Sequence, residues 1–237
     1  MKKRLFKLLK IFFTSLLVII IFLVAILYFS LNKKMPEGTS GPEADNFALK
    51  IQEAVQHDKY INTDYIQWTF RNKNHYLWNK KAGKVEVKLD DFQANLDLIN
   101  SENSRVLGDD DLISEEKSKM IQKALDNFNN DSFWIVAPHK LFDLGVTRKL
   151  VDLEDSSKGL LVTYSSGGTT PGDSYLWKVD ENYIPKSYQM WVSILPIGGI
   201  EATWEDWKTT KSGAYLAQQH KLLGFGIPIS NLKAWNE

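Results

Sequence analysis

The chain has 237 residues, of which 29 are Lys or Arg and 29 are Asp or Glu, so its formal net charge is zero. The charge is unevenly distributed, because residues 1–34 contain seven cationic side chains and no acidic one. The other 22 cations and 29 acids leave residues 35–237 with a net charge of −7. Such a charge argues against nucleic acid as a partner. The absence of Cys excludes disulfides, thiolate metal sites and a Cys nucleophile.

Residues 11–31 contain no charged side chain and consist mainly of Leu, Ile, Val and Phe. A helix of this length spans the hydrocarbon core of a bilayer, which is about 30 Å thick. A cleavable signal peptide has a shorter apolar region and a small-residue cleavage site, and no such site follows residue 31. We therefore expect a retained signal-anchor, a single transmembrane helix at residues 11–31.

The cations around this segment predict its orientation. Five precede it and two follow it, so the positive-inside rule predicts a cytoplasmic leader at residues 1–10 and an outer domain beyond the helix. The expected location is the bacterial cytoplasmic (inner) membrane, with a single pass and the C-terminal domain on the periplasmic side. A linker is expected at residues 32–42, where Pro and Gly are frequent. Residues 43–237 are enough for one well-cored domain and short for two.

The spacing of apolar residues predicts a helix at residues 43–58, a meander of four strands between residues 65 and 98, and a second helix from Ser114 to about residue 129. Charged and apolar residues alternate strictly over 84–89, as in a strand with one wet face. The strands predicted after the second helix lie at 133–137, 147–152, 160–165, 175–179, 187–193, 202–207 and 225–229. The expected fold class is α+β, with a strongly curved antiparallel sheet, an incomplete barrel, and helices packed on one side.

All eight Trp residues lie in the outer domain. One interpretation is that aromatic side chains fill the core between the sheet and the helices. The other is that a curved sheet encloses an aromatic-lined cavity for an apolar or acyl-chain ligand. The residues predicted to line such a cavity are Trp68, Phe70, Tyr76, Trp78, Tyr164, Trp177 and Met190. On this hypothesis the protein is a membrane-anchored binding module without catalytic activity.

The order of elements resembles the lipoprotein-carrier fold of LolA and LolB over roughly residues 43–230. The resemblance rests mainly on a hairpin in which Trp177, Val179 and Asp180 are followed by Ile184 and Pro185. It implies an incomplete barrel with helices over its open mouth. The carriers are diffusible or lipid-anchored, so a protein helix as anchor departs from their pattern and argues against shuttling between membranes.

The chain is also similar to an uncharacterised family of membrane-anchored bacterial proteins. This similarity rests on short strings at residues 133–140, 161–164, 170–175 and 190–192. It implies a shared fold and no established activity.

Two further functions remain open. A metal-dependent or acid/base hydrolase would use His139, Asp143, Asp173 and His220, since imidazole and carboxylate groups bind metals and transfer protons. Nothing in the sequence brings these four residues together, and we predict no cofactor and no metal. The other alternative is an envelope interaction protein with a filled core and no small-molecule ligand. The sequence identifies no protein partner. The acidic run at 109–111 is interpreted as a solvated segment, and His57 and His75 as exposed.

Overall fold

The computed structural model describes residues 2–108, 113–167 and 169–237. The acidic run at 109–111 lies outside the described residues. The first element is helix α1 (Lys2–Leu31), which contains neither Gly nor Pro. Its Phe6–Leu31 stretch is long and apolar enough to cross a membrane. The large apolar side chains described there, such as Phe12 and Phe22, are exposed to the surroundings and not buried against another element.

In the described part of the chain, thirteen strands form one antiparallel sheet. The strands are β1 (Tyr65–Phe70), β2 (Asn74–Asn79), β3 (Lys84–Lys88), β4 (Gln93–Asp97), β5 (Arg105–Val106), β6 (Val146–Asp152), β7 (Lys158–Tyr164), β8 (Ser174–Val179), β9 (Pro185–Trp191), β10 (Ile200–Thr203), β11 (Glu205–Thr209), β12 (Tyr215–Leu222) and β13 (Phe225–Trp235). Their order in the sheet is β5-β4-β3-β2-β1-β13-β12-β10-β9-β8-β7-β6, and β11 pairs with β12 beside this path. The predicted α+β class with a large antiparallel sheet is confirmed.

The helices after α1 are α2 (Pro42–Ala54), α3 (His57–Ile61) and α4 (Ser114–Val136), with single 3-10 turns at Ser101–Asn103 and Ala137–His139. The helix predicted at 43–58 is therefore two helices. Gln56, between them, has a left-handed backbone with φ of 57°, which ends the first helix and redirects the chain. This break sets the direction of α3, which forms part of the candidate site.

Helix α4 is longer than predicted, and the strand predicted at 133–137 is wrong. The structure places these residues in the last turn of α4 and in the following 3-10 turn. Ala124, Phe128 and Ile135 are all buried at helical spacing, so the buried face of the helix continues through the apolar run. A short apolar run is compatible with a strand or with a buried helix, and length decides between them only when both ends are known.

Two other differences concern the second half of the sheet. The strand predicted at 202–207 is two strands, β10 and β11, with the buried Trp204 between them. The structure also contains β12 at Tyr215–Leu222, where apolar and polar residues do not alternate strictly. The other predicted strands are present, with ends shifted by up to a few residues except for β13, which extends to Trp235.

One face of the sheet carries nearly all of the core. A first cluster joins β1–β4 and β13 to α4, with Trp68 and Phe128 among its members. A second joins β7–β10 and β12 to α2, with Trp177 and Ile51 among its members. Trp134 of α4 packs against both clusters. Helices α2 and α4 therefore cover the same apolar face of the sheet.

A buried carboxylate fixes α4 to the sheet. Asp131 is 2% exposed, and its Oδ2 accepts hydrogen bonds from the Tyr76 hydroxyl at 2.6 Å and from the Asn74 amide at 2.9 Å. Its other oxygen accepts a hydrogen bond from the Asn130 amide at 2.9 Å. Burial raises the pKa of Asp131, and these three hydrogen bonds oppose that effect.

The segment before α2 is held against the sheet edge. Thr39 pairs with Leu150 of β6 through two backbone hydrogen bonds of 2.9 and 2.8 Å. Gly38 lies so close to β6 that a Cβ atom there would meet the Leu150 carbonyl oxygen at 2.7 Å and a Val151 methyl group at 2.8 Å. The segment therefore makes a close contact with β6 that requires glycine at position 38, in addition to connecting α1 to α2.

Replacing Tyr76 by Phe tests the link between α4 and the sheet. The change removes one of the donors to a buried carboxylate, and we expect the free energy of unfolding to fall by about 1–3 kcal/mol. Tyr65→Phe is the matched control, because the Tyr65 hydroxyl bonds Asn79 and Glu237 at the surface. Chemical denaturation measures both. Equal, small losses for the two variants would show that the Asp131 link does not stabilise the fold.

Candidate functional site

The seven residues predicted to line a cavity lie in the core on the covered face of the sheet. Six are at most 8% exposed, and Trp78 is partly buried. Trp68 stacks on Tyr76 with ring centroids 4.7 Å apart, and both belong to the first cluster with Phe70 and Trp78. The others, Tyr164, Trp177 and Met190, belong to the second cluster. The structure therefore divides the set between two packed groups.

Some polar atoms in this interior have no hydrogen-bond partner. They include the indole N–H groups of Trp68, Trp78 and Trp177 and the hydroxyl of Tyr164. Trp177 meets the Tyr188 ring edge to face at 5.0 Å, and such ring contacts accept weak N–H···π interactions. The interior is thus predominantly aromatic packing with some unused hydrogen-bonding capacity.

A cleft of about 650 Å³ opens beside α3, and we call it the α3 cleft. Its walls come from α2 and α3, from the turn between β2 and β3, and from the chain just after α4. Three of the predicted residues line it: Trp78, His139 and Asp143. The polar lining also includes Gln52, His57, Lys80, Lys81 and Lys140.

A stack of three rings forms the floor of the α3 cleft. The rings of Tyr60 and His139 are parallel, with centroids 4.1 Å apart. The His57 ring stacks on His139 at 5.6 Å and lies 6.1 Å from the Tyr60 ring. The Nδ1 atoms of His57 and His139 are 3.4 Å apart. Tyr60 and His139 are 6% and 3% exposed. The Gln52 amide donates a hydrogen bond to the His139 carbonyl and so attaches α2 to the stack.

Both imidazoles favour the neutral form. Burial lowers the pKa of His139 well below 6.5, and the neighbouring His57 and Lys80 lower it further. Burial also lowers the pKa of His57. A pair of neutral imidazoles can share one proton between their Nδ1 atoms, one donating and the other accepting. The backbone of Tyr215 favours the protonated His139 ring, but His139 Nε2 has no partner with normal hydrogen-bond geometry.

Lys80 is the most perturbed cation of the cleft. Its ammonium group lies 3.8 Å from the centroid of the Tyr60 ring and donates a hydrogen bond to the Tyr60 carbonyl. Burial lowers the pKa of Lys80 to about 8, and the negative charge of Asp64 opposes this shift. Burial therefore makes the charged form of Lys80 less favourable than that of an exposed lysine.

The other charges of the cleft leave it weakly cationic. Lys140 forms an ion pair with Asp143, so Asp143 is neutralised locally. Lys80 and Lys81 face one further acid of the lining, Asp64. An excess of cations is unusual on a domain with a net charge of −7. Apolar contacts come from Trp78, the Tyr60 ring, Ile61 and Phe142.

The structure brings together only two of the four residues predicted for a hydrolase. His139 and Asp143 line the α3 cleft. Asp173 instead accepts hydrogen bonds from the Thr170 hydroxyl and the Ser193 backbone, which hold two turns together. His220 lies in β12 between Trp134 and Trp204, and its Nδ1 bonds the Thr203 carbonyl at 2.9 Å. Among the described residues, no three His, Asp or Glu side chains are arranged to hold a metal ion.

His57, Tyr60 and Lys80 are site residues that the sequence did not reveal. His57 is half-buried, where the sequence predicted exposure, and His75 is exposed as predicted. His57 and His139 are 82 residues apart, and no local motif marks their contact. The helix break at Gln56 sets the direction of α3, and the apolar spacing of residues 43–58 did not predict it.

Comparison with known proteins adds no relative. No protein-family model, no curated protein and no solved structure matches the chain. The resemblance to the LolA and LolB carriers therefore stays a prediction.

The pKa of Lys80 can be tested by acylation. Only the neutral amine reacts with an acylating reagent. We therefore expect the acylation rate of Lys80, measured by peptide mass spectrometry, to rise with pH with a midpoint near pH 8. In denaturant the burial is lost and the midpoint should move to about 10.5. The same midpoint in folded and unfolded protein would contradict the structure of the cleft.

The burial of His220 predicts a pH-dependent stability. Burial lowers its pKa from 6.5 to about 4, so the unfolded chain binds this proton first as the pH falls. Stability should therefore be lost between about pH 6.5 and pH 4, by roughly 3 kcal/mol from this residue. Denaturation at several pH values should show that His220→Asn loses less stability on acidification than the unchanged protein does. His75→Asn, at an exposed position, is the control, and an identical slope in both variants would contradict the prediction.

Proposed function

We propose that this chain is a membrane-anchored binding module whose outer domain takes an amphipathic anion in the α3 cleft. The ligand class is an apolar chain that carries a carboxylate or phosphate group. The proposal has three parts, which are the anchor, the shape of the sheet and the ligand.

The anchor is the uncharged run at residues 11–31, which lies within the helical stretch Phe6–Leu31 that is apolar enough to cross a membrane. At 1.5 Å per residue the uncharged run is about 32 Å long, which matches the thickness of a hydrocarbon core of about 30 Å. Exposed Leu, Ile and Phe side chains around the whole helix are typical of contact with lipid. Five cations precede residue 11 and two follow residue 31, which supports a cytoplasmic N-terminus in a bacterial inner membrane, with the domain outside.

We infer further that the sheet is an incomplete barrel. Its order runs from β5 to β6, and no strand pairing among the described residues joins these two ends. Helices α2 and α4 cover the apolar face that a closed barrel would enclose. This arrangement agrees with the shape that the carrier resemblance implies.

The observation that carries the ligand proposal is the pairing of Lys80 with apolar walls in one open cleft. A volume of about 650 Å³ is within the range of small-molecule sites. Trp78, Ile61 and Phe142 offer contacts to a hydrocarbon chain, and each buried CH₂ group contributes about 0.8 kcal/mol. A carboxylate or phosphate beside Lys80 would restore the charged form that burial disfavours.

The cleft is a better supported site than the aromatic interior. Trp68, Trp177 and most of the other predicted lining residues already contact one another or the helices. A chain inserted there would have to displace these contacts. Trp78 connects the α3 cleft to the aromatic interior, because it packs against the first cluster and also lines the cleft.

The packed interior favours one alternative, an envelope interaction protein that binds its partner on the surface. In that case the α3 cleft holds no small molecule, and its aromatic floor serves stability. The experiment that follows separates the two functions.

Octanoate is a suitable probe, because it has a carboxylate and a short chain and remains soluble. We expect it to slow the acylation of Lys80 in the full chain reconstituted in nanodiscs, without slowing that of Lys208, which lies outside the cleft. Octyl phosphate should act in the same way if any anionic group is accepted. Octylamine, a cation, should not. Protection should weaken as the pH rises through 8, where Lys80 loses its charge.

Ile61→Glu tests the site without a core change, since Ile61 is 58% exposed. The added negative charge and the lost apolar contact should weaken octanoate binding about tenfold, on the order of 1.4 kcal/mol. Ile99→Glu is the matched control, because Ile99 is exposed and lies outside the cleft. If no concentration of octanoate or octyl phosphate protects Lys80 selectively, the ligand proposal fails and the interaction protein becomes the better hypothesis.

A further inference from the structure

Three large apolar side chains project from neighbouring turns at one end of the sheet. Ile194, in the turn between β9 and β10, is 69% exposed, and Leu223 and Phe225, at the tip of the β12–β13 hairpin, are 54% and 78% exposed. No charged residue occurs in 192–199 or in 222–226. We call these two turns together the apolar rim.

The strand pairing places both turns at the same end. Ile200 pairs with Met190, so the β9–β10 turn closes just beyond these residues. Ala202 of β10 pairs with Leu222 of β12, and Leu222 pairs with Phe225 across the hairpin tip. The two turns are therefore adjacent at the ends of neighbouring strands.

The end of the apolar helix is attached to this rim. The Gly198 N–H donates to the Asn32 side-chain oxygen at 2.8 Å, and the Lys33 N–H donates to the Gly198 carbonyl at 2.9 Å. The Trp191 indole donates to the Lys33 carbonyl at 2.7 Å. Asn32 itself continues the helical hydrogen bonding by donating to Tyr28 at 2.9 Å. Helix and turn thus form a short, bonded junction.

The junction requires glycine at the turn. A Cβ atom on Gly199, whose φ is 76°, would lie 2.5 Å from the Lys33 Cβ, and one on Gly198 would lie 2.8 Å from the Trp191 Nε1. Two consecutive residues extend at most about 7 Å, so Leu31, the last residue of the apolar stretch, is close to Gly198. A bilayer that contains Phe6–Leu31 therefore ends near the rim.

We propose that the apolar rim enters the interfacial region of the bilayer and so fixes the orientation of the outer domain. The proposal rests on the membrane anchor proposed above. Exposed Ile and Phe side chains gain from leaving water, and Trp191 next to them is a residue type enriched at membrane interfaces. Lys33 and Lys34 beside the rim suit anionic head groups. The occupant of the rim is thus lipid, not a protein surface.

Single-cysteine variants test the contact, since the chain contains no Cys of its own. Ile194→Cys and Phe225→Cys are labelled with an environment-sensitive fluorophore in the full chain, reconstituted in vesicles that contain nitroxide-labelled lipid. Ile99→Cys is the matched control. Ile99 is 80% exposed and follows β4, whose Asp97 pairs with Lys84 at the sheet end opposite Phe225. Ile19→Cys, within the apolar stretch, reports insertion of the helix.

We expect lipid quenching at positions 194 and 225 to be several-fold stronger than at 99, with emission shifted to shorter wavelength. Strong quenching at 19 together with equal, weak quenching at 194, 225 and 99 overturns the rim proposal and leaves the anchor intact. Weak quenching at 19 overturns the anchor, and the rim proposal with it. A wavelength shift at 194 or 225 without lipid quenching would show a contact with protein, such as a second copy, and would also overturn the proposal.

Discussion

The structure depends on the need to cover one large apolar face. Nearly all buried apolar side chains of the sheet lie on one of its two faces, and helices α2 and α4 cover that face. Helix α4 joins the two halves, because Trp134 packs against both core clusters and Asp131 bonds Tyr76 of β2. The pairing of β1 with β13 connects the first half of the sheet to its last strand. The domain therefore behaves as one packed unit despite its many strands.

The position of α4 also produces the α3 cleft. The helix ends at Val136, and the following 3-10 turn places His139 against Tyr60 of α3. Left-handed Gln56 turns α3 toward this point, so two short irregular segments assemble the stack. Polar groups are buried here with few partners, and His139 Nε2 has none of normal geometry. Because Trp68, Trp177 and Tyr164 in the packed interior also have unpaired polar atoms, the cleft is distinguished by its opening and its charged lining instead.

The sequence predicted features that depend on local pattern. Alternation over Lys84–Lys88 identified β3, and the uncharged run identified α1. Local pattern could not assign residues 133–137, because a short apolar run suits either a strand or the buried end of a helix. It also could not show that His57 meets His139 or that Lys80 meets Tyr60, since these contacts join distant segments. Half of the hydrolase set, Asp173 and His220, is used for turn and core contacts instead.

The membrane anchor is a proposal, and the division of charge along the chain bears on how the acidic domain would lie beside lipid if the proposal holds. A net charge of −7 disfavours close contact with anionic lipid over most of the domain surface. The end that adjoins the apolar helix is different, because 192–199 and 222–226 carry no charge and Lys33 and Lys34 lie beside them. The segment from Asn32 to Thr39 is bonded to the domain at both ends, through Gly198 and Leu150, so it does not act as a free spacer. Repulsion from the acidic surface and attachment at the uncharged end would act together, and both favour one orientation of the domain.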